Sequence, residues 1–225
     1  MTSDGTRTTN QAIAVTVTGV NDNSPVFTSA LTASFAENGT GAVIDVNATD
    51  ADVPAETLTF SITGGADAAL FNIDAATGVL TFITPPDFEA PADAGANNVY
   101  DVQVTASDGT RTTNQAIAVT VTAVNDNTPV ITSVATVNFA ENSTGTVIDV
   151  NATDADLPAQ TLTFSITGGA DAAKFAINAT TGIVTFVSSP NFEAPTDVGA
   201  NNVYDLQVTA SDGTRTVAQN IAVTV

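Results

Sequence analysis

The six residues Val20-Asn21-Asp22-Asn23-Ser24-Pro25 return as Val124-Asn125-Asp126-Asn127-Thr128-Pro129, 104 positions later (125 − 21 = 104). From each proline onward, roughly three-quarters of aligned positions are identical. This period divides the 225 residues into repeats of about a hundred, each long enough for a modest core of its own. The repeats read as residues 20–124 and 125–225, preceded by a remnant, residues 1–19. Ser3 to Val17 reproduce Ser107 to Val121, so the chain is expected to open inside the last hairpin of an earlier repeat. Ala12 to Thr18 is then expected to be an orphan strand whose unpaired edge can dock on another copy.

Composition excludes much chemistry. Cysteine and histidine are absent, which removes disulfides, thiolate or imidazole metal sites, and catalysis by a histidine base or cysteine nucleophile. Twenty-four acids against Arg7, Arg111, Lys174 and Arg215 leave a net charge of −20. Such a chain repels nucleic acid and anionic membrane surfaces and calls for counter-cations. No run approaches the roughly 20 apolar residues that span a bilayer, and the first residues have no secretion-signal pattern, so no membrane insertion is expected and the chain reads as part of something longer.

Strand periodicity fills each repeat. Ile44, Val46 and Ala48 alternate with Asp45 and Asn47; Leu58, Phe60 and Ile62 with Thr59 and Ser61; Tyr100, Val102, Val104 and Ala106 with Asp101, Gln103 and Thr105. Thr77-Gly78, Ser107-Asp108-Gly109 and Pro85-Pro86 mark turns, and Ala66 to Ala69 suits a single helical turn. About seven short strands per repeat predict an all-β sandwich.

Several motifs occur in order: Ala36-Glu37-Asn38, Asp50-Ala51-Asp52, Phe71-Asn72-Ile73-Asp74 leading to Thr77-Gly78, Asp87-Phe88-Glu89-Ala90, Ala106-Ser107-Asp108-Gly109, and the Asn-Asp-Asn-x-Pro linker. In order and spacing the chain resembles the cadherin repeat, and the likeness covers essentially its whole length. The resemblance implies tandem seven-stranded Greek-key β-sandwiches, cadherin- or immunoglobulin-like, joined end to end. The Ala/Thr/Val-rich, cysteine-free style is similar to the repeats of large bacterial surface and biofilm adhesins, which implies an extracellular location.

The resemblance also implies calcium. Calcium takes six to eight oxygen ligands at roughly 2.3–2.6 Å from carboxylates, amides and main-chain carbonyls, the donors this chain offers. By resemblance the complete junction gathers Glu37, Asp87 and Glu89, the Val124 carbonyl, Asn125, Asp126 and Asn127, and Asp154, Asp156 and Asp212. An upper site retains Asn21, Asp22, Asn23, Asp50, Asp52 and Asp108 and is expected to hold one ion at most. Gly19 and Ala123 stand where the family has a linker aspartate, so two ions per junction are as consistent as three. Glu141 and Glu193 have no following linker, and Asn191 replaces the aspartate found at Asp87; that end is expected to be empty or weak.

Other residues have structural readings. Asp74 reads as a hairpin residue, because Asn178 replaces it in the second repeat, and Arg111 and Arg215 read as local ion pairs at their hairpins. The Asn-x-Thr triplets carry little weight in so Thr- and Asn-rich a chain.

Three function classes follow. In the first, calcium-stiffened repeats are spacers in a cell-surface adhesin, with neighbouring repeats of the same chain as partners. In the second, the repeat itself binds polysaccharide or the same protein on another cell. Sugar platforms usually present exposed aromatic rings, whereas Trp is absent and Tyr100 and Tyr204 fall on the inward face. The third, a paired-carboxylate hydrolase, is set aside because identical motifs at every joint suit architecture better than a single active site. The chain is read as no enzyme.

Overall fold

The computed structural model describes residues 2–3, 5 and 7–225. It divides into two compact units, one of residues 1–86 and 92–121, the other of residues 87–91 and 122–225. The short segment 87–91 thus groups with the second unit although the first repeat encodes it.

In the first unit a four-stranded sheet runs in the order Thr32–Ala36, Thr112–Thr122, Val99–Ser107, Thr59–Gly64. A three-stranded sheet faces it in the order Ala42–Asp45, Val79–Phe82, Phe71–Ile73, and a short antiparallel pair joins Val26–Phe27 to Ala48–Thr49. The second unit repeats this plan with Thr136–Asn138, Thr216–Thr224, Val203–Ser211 and Thr163–Gly168 in the larger sheet. There Thr136–Asn138, near the start of the repeat, runs parallel to the last strand, Thr216–Thr224, which brings the two ends of the repeat side by side. Non-consecutive neighbours of this kind define the Greek key, and the expected all-β sandwich of seven main strands is present in each repeat.

The alternation read from the sequence sorts residues as expected. Tyr100, Val102, Val104 and Ala106 are all at most 1% exposed, while Asp101 between them is exposed. At one end of the first core Phe82 packs on Phe71 at 4.4 Å between centroids and meets the edge of Tyr100 at 5.1 Å. Phe186, Phe175 and Tyr204 repeat the arrangement at 4.4 and 5.2 Å. Gly78 sits at φ +76°, and a Cβ there would lie 2.0 Å from the Val46 carbonyl oxygen. Only glycine lets the hairpin come close enough for the Val46 N–H to reach the Gly78 carbonyl at 3.0 Å.

Buried aspartates tie down the connections. Asp67, 4% exposed, accepts the Ala94 N–H at 2.7 Å and the Asp101 N–H at 2.8 Å, which fastens the long loop before the Val99 strand to the single 3-10 turn at Ala68–Leu70. Asp93 accepts the N–H groups of Asn97 and Asn98, both at 3.0 Å. Asp171 and Asp197 do the same in the second repeat. Burial works to raise the Asp197 pKa, but the main-chain donors around it outweigh burial and hold it below its ordinary value. Each N–H left unsatisfied in a buried site costs about 1–3 kcal/mol. Asp67→Ala is therefore expected to destabilise the first repeat by about 2–6 kcal/mol, measured by urea unfolding. A loss under about 1 kcal/mol would show that water replaces the carboxylate.

Two sequence expectations are corrected. Ala12 to Thr18 forms no strand: Ile13, Val15 and Val17 are 79%, 82% and 91% exposed, because an alternating segment needs a neighbouring strand to complete its hydrogen bonds. Arg111 and Arg215 meet their hairpin aspartates through the main chain instead of the guanidinium, each N–H donating to the carboxylate at 2.6 Å. Asp74 takes its expected hairpin role, accepting from Ala76 and Thr77, and Asn178 copies it.

Candidate metal centres

Carboxylates collect at the linker end of each sandwich because the turns there are built on them. In the second unit the Asp154-Ala155-Asp156 turn closes when Asp154 accepts the Asp156 N–H at 3.1 Å. Asp156, 1% exposed, then accepts the Asn127 N–H at 2.9 Å, the Asn127 side-chain amide at 2.8 Å and the Asp126 N–H at 3.3 Å. Asp212, on the hairpin loop after Val203–Ser211, spends one oxygen on the Thr214 and Arg215 N–H groups, both at 2.6 Å. Asp154, Asp156 and Asp212 each bring an oxygen within 4.8 Å of the others.

A second group shares Asp156. Glu89, on segment 87–91, joins Asp126 and Asp156 with oxygens again within 4.8 Å, and it also accepts the Leu157 N–H at 3.0 Å. Asp87 holds that segment in a turn by accepting the Glu89 and Ala90 N–H groups at 3.0 and 3.1 Å. Val124 is exposed, and Glu37, in the first unit, is 3% exposed beside Asn38, whose N–H bonds the Pro86 carbonyl at 2.9 Å.

The first unit carries the matching turn. Asp50 accepts the Asp52 N–H at 3.0 Å, and Asp52 accepts both the main chain and the side-chain amide of Asn23. Asp22 lies next to it, with Asn23 donating to its carboxylate at 3.4 Å. Asp108 accepts the Thr110 and Arg111 N–H groups, and Asn21 donates to the Asp108 carbonyl at 3.5 Å. The Arg111 N–H, opposed by burial and helped by the Thr110 N–H, keeps the Asp108 carboxyl below its ordinary pKa. Burial acts the other way on Asp52 but is outweighed by Asn23, and its pKa is also lowered. These donors hold both groups ionised at neutral pH.

Glu56 was not singled out in the sequence. It lies four residues after Asp52 and brings an oxygen within 4.8 Å of Asp50 and Asp52. Burial, then repulsion from Asp52, Asp108 and Asp50, raises its pKa. The available signal was a third acid just beyond Asp-Ala-Asp, but Gln160 stands at the equivalent place in the second repeat (160 − 56 = 104) and masked it.

Several oxygens around these carboxylates are buried and have no hydrogen-bond donor: Asn21 Oδ1, Asp50 Oδ2, Glu56 Oε2 and Asp108 Oδ2 in the first unit, Asp154 Oδ2 and Gln160 Oε1 in the second. Asn125 presents its side-chain amide to Asp212 Oδ2 at 3.1 Å and Asp156 Oδ2 at 3.2 Å. With nitrogen forward these are hydrogen bonds; with oxygen forward three acceptors converge, which suits a cation. Two unit charges 4 Å apart at an effective dielectric of 20 repel by about 4 kcal/mol. The all-oxygen donor set, its buried lone pairs and this repulsion fit a hard divalent ion such as calcium. Glu141 and Glu193 belong to no such group among the described residues, and Glu141 accepts the Phe192 N–H at 3.0 Å.

Tandem Greek-key sandwiches with acidic turns at one end define a class of modular repeat. The family profile described as "Cadherin domain" matches residues 31–139 and 135–225, and the chain belongs to this family. It is 34% identical over 213 residues to Cadherin-23 of Rattus norvegicus, covering 89% of this chain and 6% of that protein. It is also 34% identical over 223 residues to Protocadherin Fat 4 of Mus musculus, covering 95% of this chain and 4% of that protein. Halomucin of Haloquadratum walsbyi is 42% identical over 81 residues, 35% of this chain and 1% of that protein. The chain thus spans a small part of these relatives. Among solved structures, Drosophila N-cadherin EC1-4 aligns over 89% of this chain and 49% of its own with TM-score 0.70 and 22% identity. Human Protocadherin-24 EC1-2 aligns over 92% of this chain and 98% of its own with TM-score 0.68 and 20% identity. Both likenesses concern the fold.

Proposed function

We propose that the chain is a calcium-stiffened spacer within a large extracellular adhesin, a non-enzymatic repeat that supports cell adhesion. The observation that carries this reading is Asp156, buried and shared by both carboxylate groups of the second unit beside an unpartnered Asp154 oxygen. One ion would draw on Asn125, the Asn127 carbonyl, Asp154, Asp156 and Asp212, and another on Glu89, Asp126 and Asp156. Glu37, Asp87 and the Val124 carbonyl enter as further ligands on their place in the family's motifs. Asn21, Asp22, Asn23, Asp50, Asp52 and Asp108 would form the first-repeat site.

Bound calcium would neutralise the pooled carboxylates. Segments 87–91 and 122–127 are covalently continuous with the first unit but grouped with the second. Fixing both to the second sandwich removes torsional freedom from the chain that links the repeats. Cadherin and protocadherin relatives support an extracellular, adhesive setting. The near-identical repeats and the likeness to Halomucin support a large microbial surface protein as the parent.

Affinity is expected near that of extracellular calcium modules, about 10⁻⁴ to 10⁻³ M. Small-angle scattering during a calcium titration should show the maximum dimension rising and the spread of conformers narrowing. A scattering curve unchanged from chelator to 10 mM calcium, about ten times the weaker limit of that range, would overturn the reading.

A further inference from the structure

We infer that Glu56 is a fourth carboxylate ligand, making the first-repeat site able to hold a divalent cation without help from a preceding repeat. The inference rests on the calcium reading above and deepens it, since neither the repeat motif nor the ligand set drawn from it includes this residue. Glu56 reaches within 4.8 Å of oxygens from both Asp50 and Asp52. Its Oε2 is buried without a hydrogen bond, as are Asn21 Oδ1, Asp50 Oδ2 and Asp108 Oδ2, and the Asn21 amide is the one side-chain donor near the Glu56 carboxyl. Asp108, 7% exposed, lies near enough for its charge to act on Glu56, and this nine-tenths buried carboxylate leaves its Oδ2 unsatisfied. Lone pairs buried in this way need a proton donor or a cation. The donors that Asp108 recruits, from Thr110 and Arg111, both bind its Oδ1 and leave Oδ2 unsatisfied.

The second repeat supplies the comparison. Gln160 takes the place of Glu56, and its Oε1 is likewise buried without a donor, so the position keeps an oxygen ligand but loses its charge. The first-repeat site offers four carboxylates, from Asp50, Asp52, Glu56 and Asp108. Its counterpart offers three, from Asp154, Asp156 and Asp212, with further charge from Glu89 and Asp126 close to Asp156. The added acid in the first repeat stands in for the Glu89 carboxylate that the second repeat receives from segment 87–91, since Asp22 already supplies the linker acid equivalent to Asp126 (126 − 22 = 104). Ligand charge count sets affinity in oxygen-donor sites, so the substitution sets the order in which the sites fill.

The test uses Asp156→Asn as background, which removes the ion ligand common to both second-unit groups and isolates the first-repeat site. In that background Glu56→Gln is expected to weaken calcium binding about tenfold by calorimetry. Bound terbium should gain about one coordinated water by luminescence lifetime. Gln160→Glu in the otherwise unaltered chain should tighten a second-unit site by a similar factor. If the Asp156→Asn chain keeps one ion and Glu56→Gln changes neither affinity nor hydration, the inference falls while the spacer reading stands. If the Asp156→Asn chain binds nothing although the unaltered chain binds calcium, the first-repeat site is not self-sufficient and the inference falls. If the unaltered chain binds no calcium at all, the spacer reading itself fails.

Discussion

Asp156→Asn is expected to abolish the calcium response of the second repeat while leaving its fold intact. Asp156 Oδ1 accepts from Asp126, from the main chain of Asn127 and from the Asn127 side chain, and an asparagine oxygen can accept the same three bonds. The other oxygen faces Asn125 and belongs to the proposed ion sites. An amide nitrogen there would oppose a cation. Without calcium the variant should melt near the unaltered chain. With calcium at a hundred times its dissociation constant, binding adds about 2.7 kcal/mol to the unaltered repeat. At about 4–8 °C per kcal/mol for a domain of this size, its transition should rise by on the order of 10–20 °C and that of the variant should barely move. Scanning calorimetry in chelator and in calcium reads both. Equal calcium-induced shifts in the two proteins would remove Asp156 from the site.

The second large effect belongs to the core. Gly78→Ala is expected to destabilise the first repeat by about 2–5 kcal/mol. The left-handed conformation costs alanine about 1–2 kcal/mol, and relieving an overlap at a packed position costs about 1–3 kcal/mol more. The overlap is with main chain, since the Cβ would sit 2.0 Å from the Val46 carbonyl oxygen, and a strand moves less readily than a side-chain tip. Urea unfolding should show the first repeat's transition displaced and the second's in place. Gly182, at φ +74° against the Val150 carbonyl, should give the mirror-image result. A loss below about 1 kcal/mol in both would show that the hairpin yields cheaply.

Much of the fold was legible because its signals are local and doubled. Alternation at Tyr100 to Ala106 named the buried face, and Thr77-Gly78 named the hairpin, since side-chain period and positive φ are properties of neighbouring residues. The isolated stretch Ala12 to Thr18 shows the limit of such signals. It has the same residues as Ala116 to Thr122, yet only the latter is a strand, because pairing depends on a partner elsewhere in the chain. Asp67 and Asp93 carry no local signal that sets them apart from other loop acids. Their role depends on which N–H groups the folded loop turns inward, and sequence does not record that.

The site divides in the same way. Repetition and the motif order alone point to Asp50, Asp52, Asp154, Asp156 and the linker asparagines. Glu56 carries no such signal, because Gln160 stands at its place in the second repeat. Its closeness to Asp50 and Asp52 comes from the path of the loop between them.

Sequence by itself determined that the protein is a tandem of all-β sandwiches with acids gathered at recurring turns, since periodicity and composition act over a few residues at a time. Tertiary structure decided which of those acids lose water and donors together. Burial of an oxygen and repulsion between carboxylates depend on distances in space, and those are set when strands remote in the chain pack against each other.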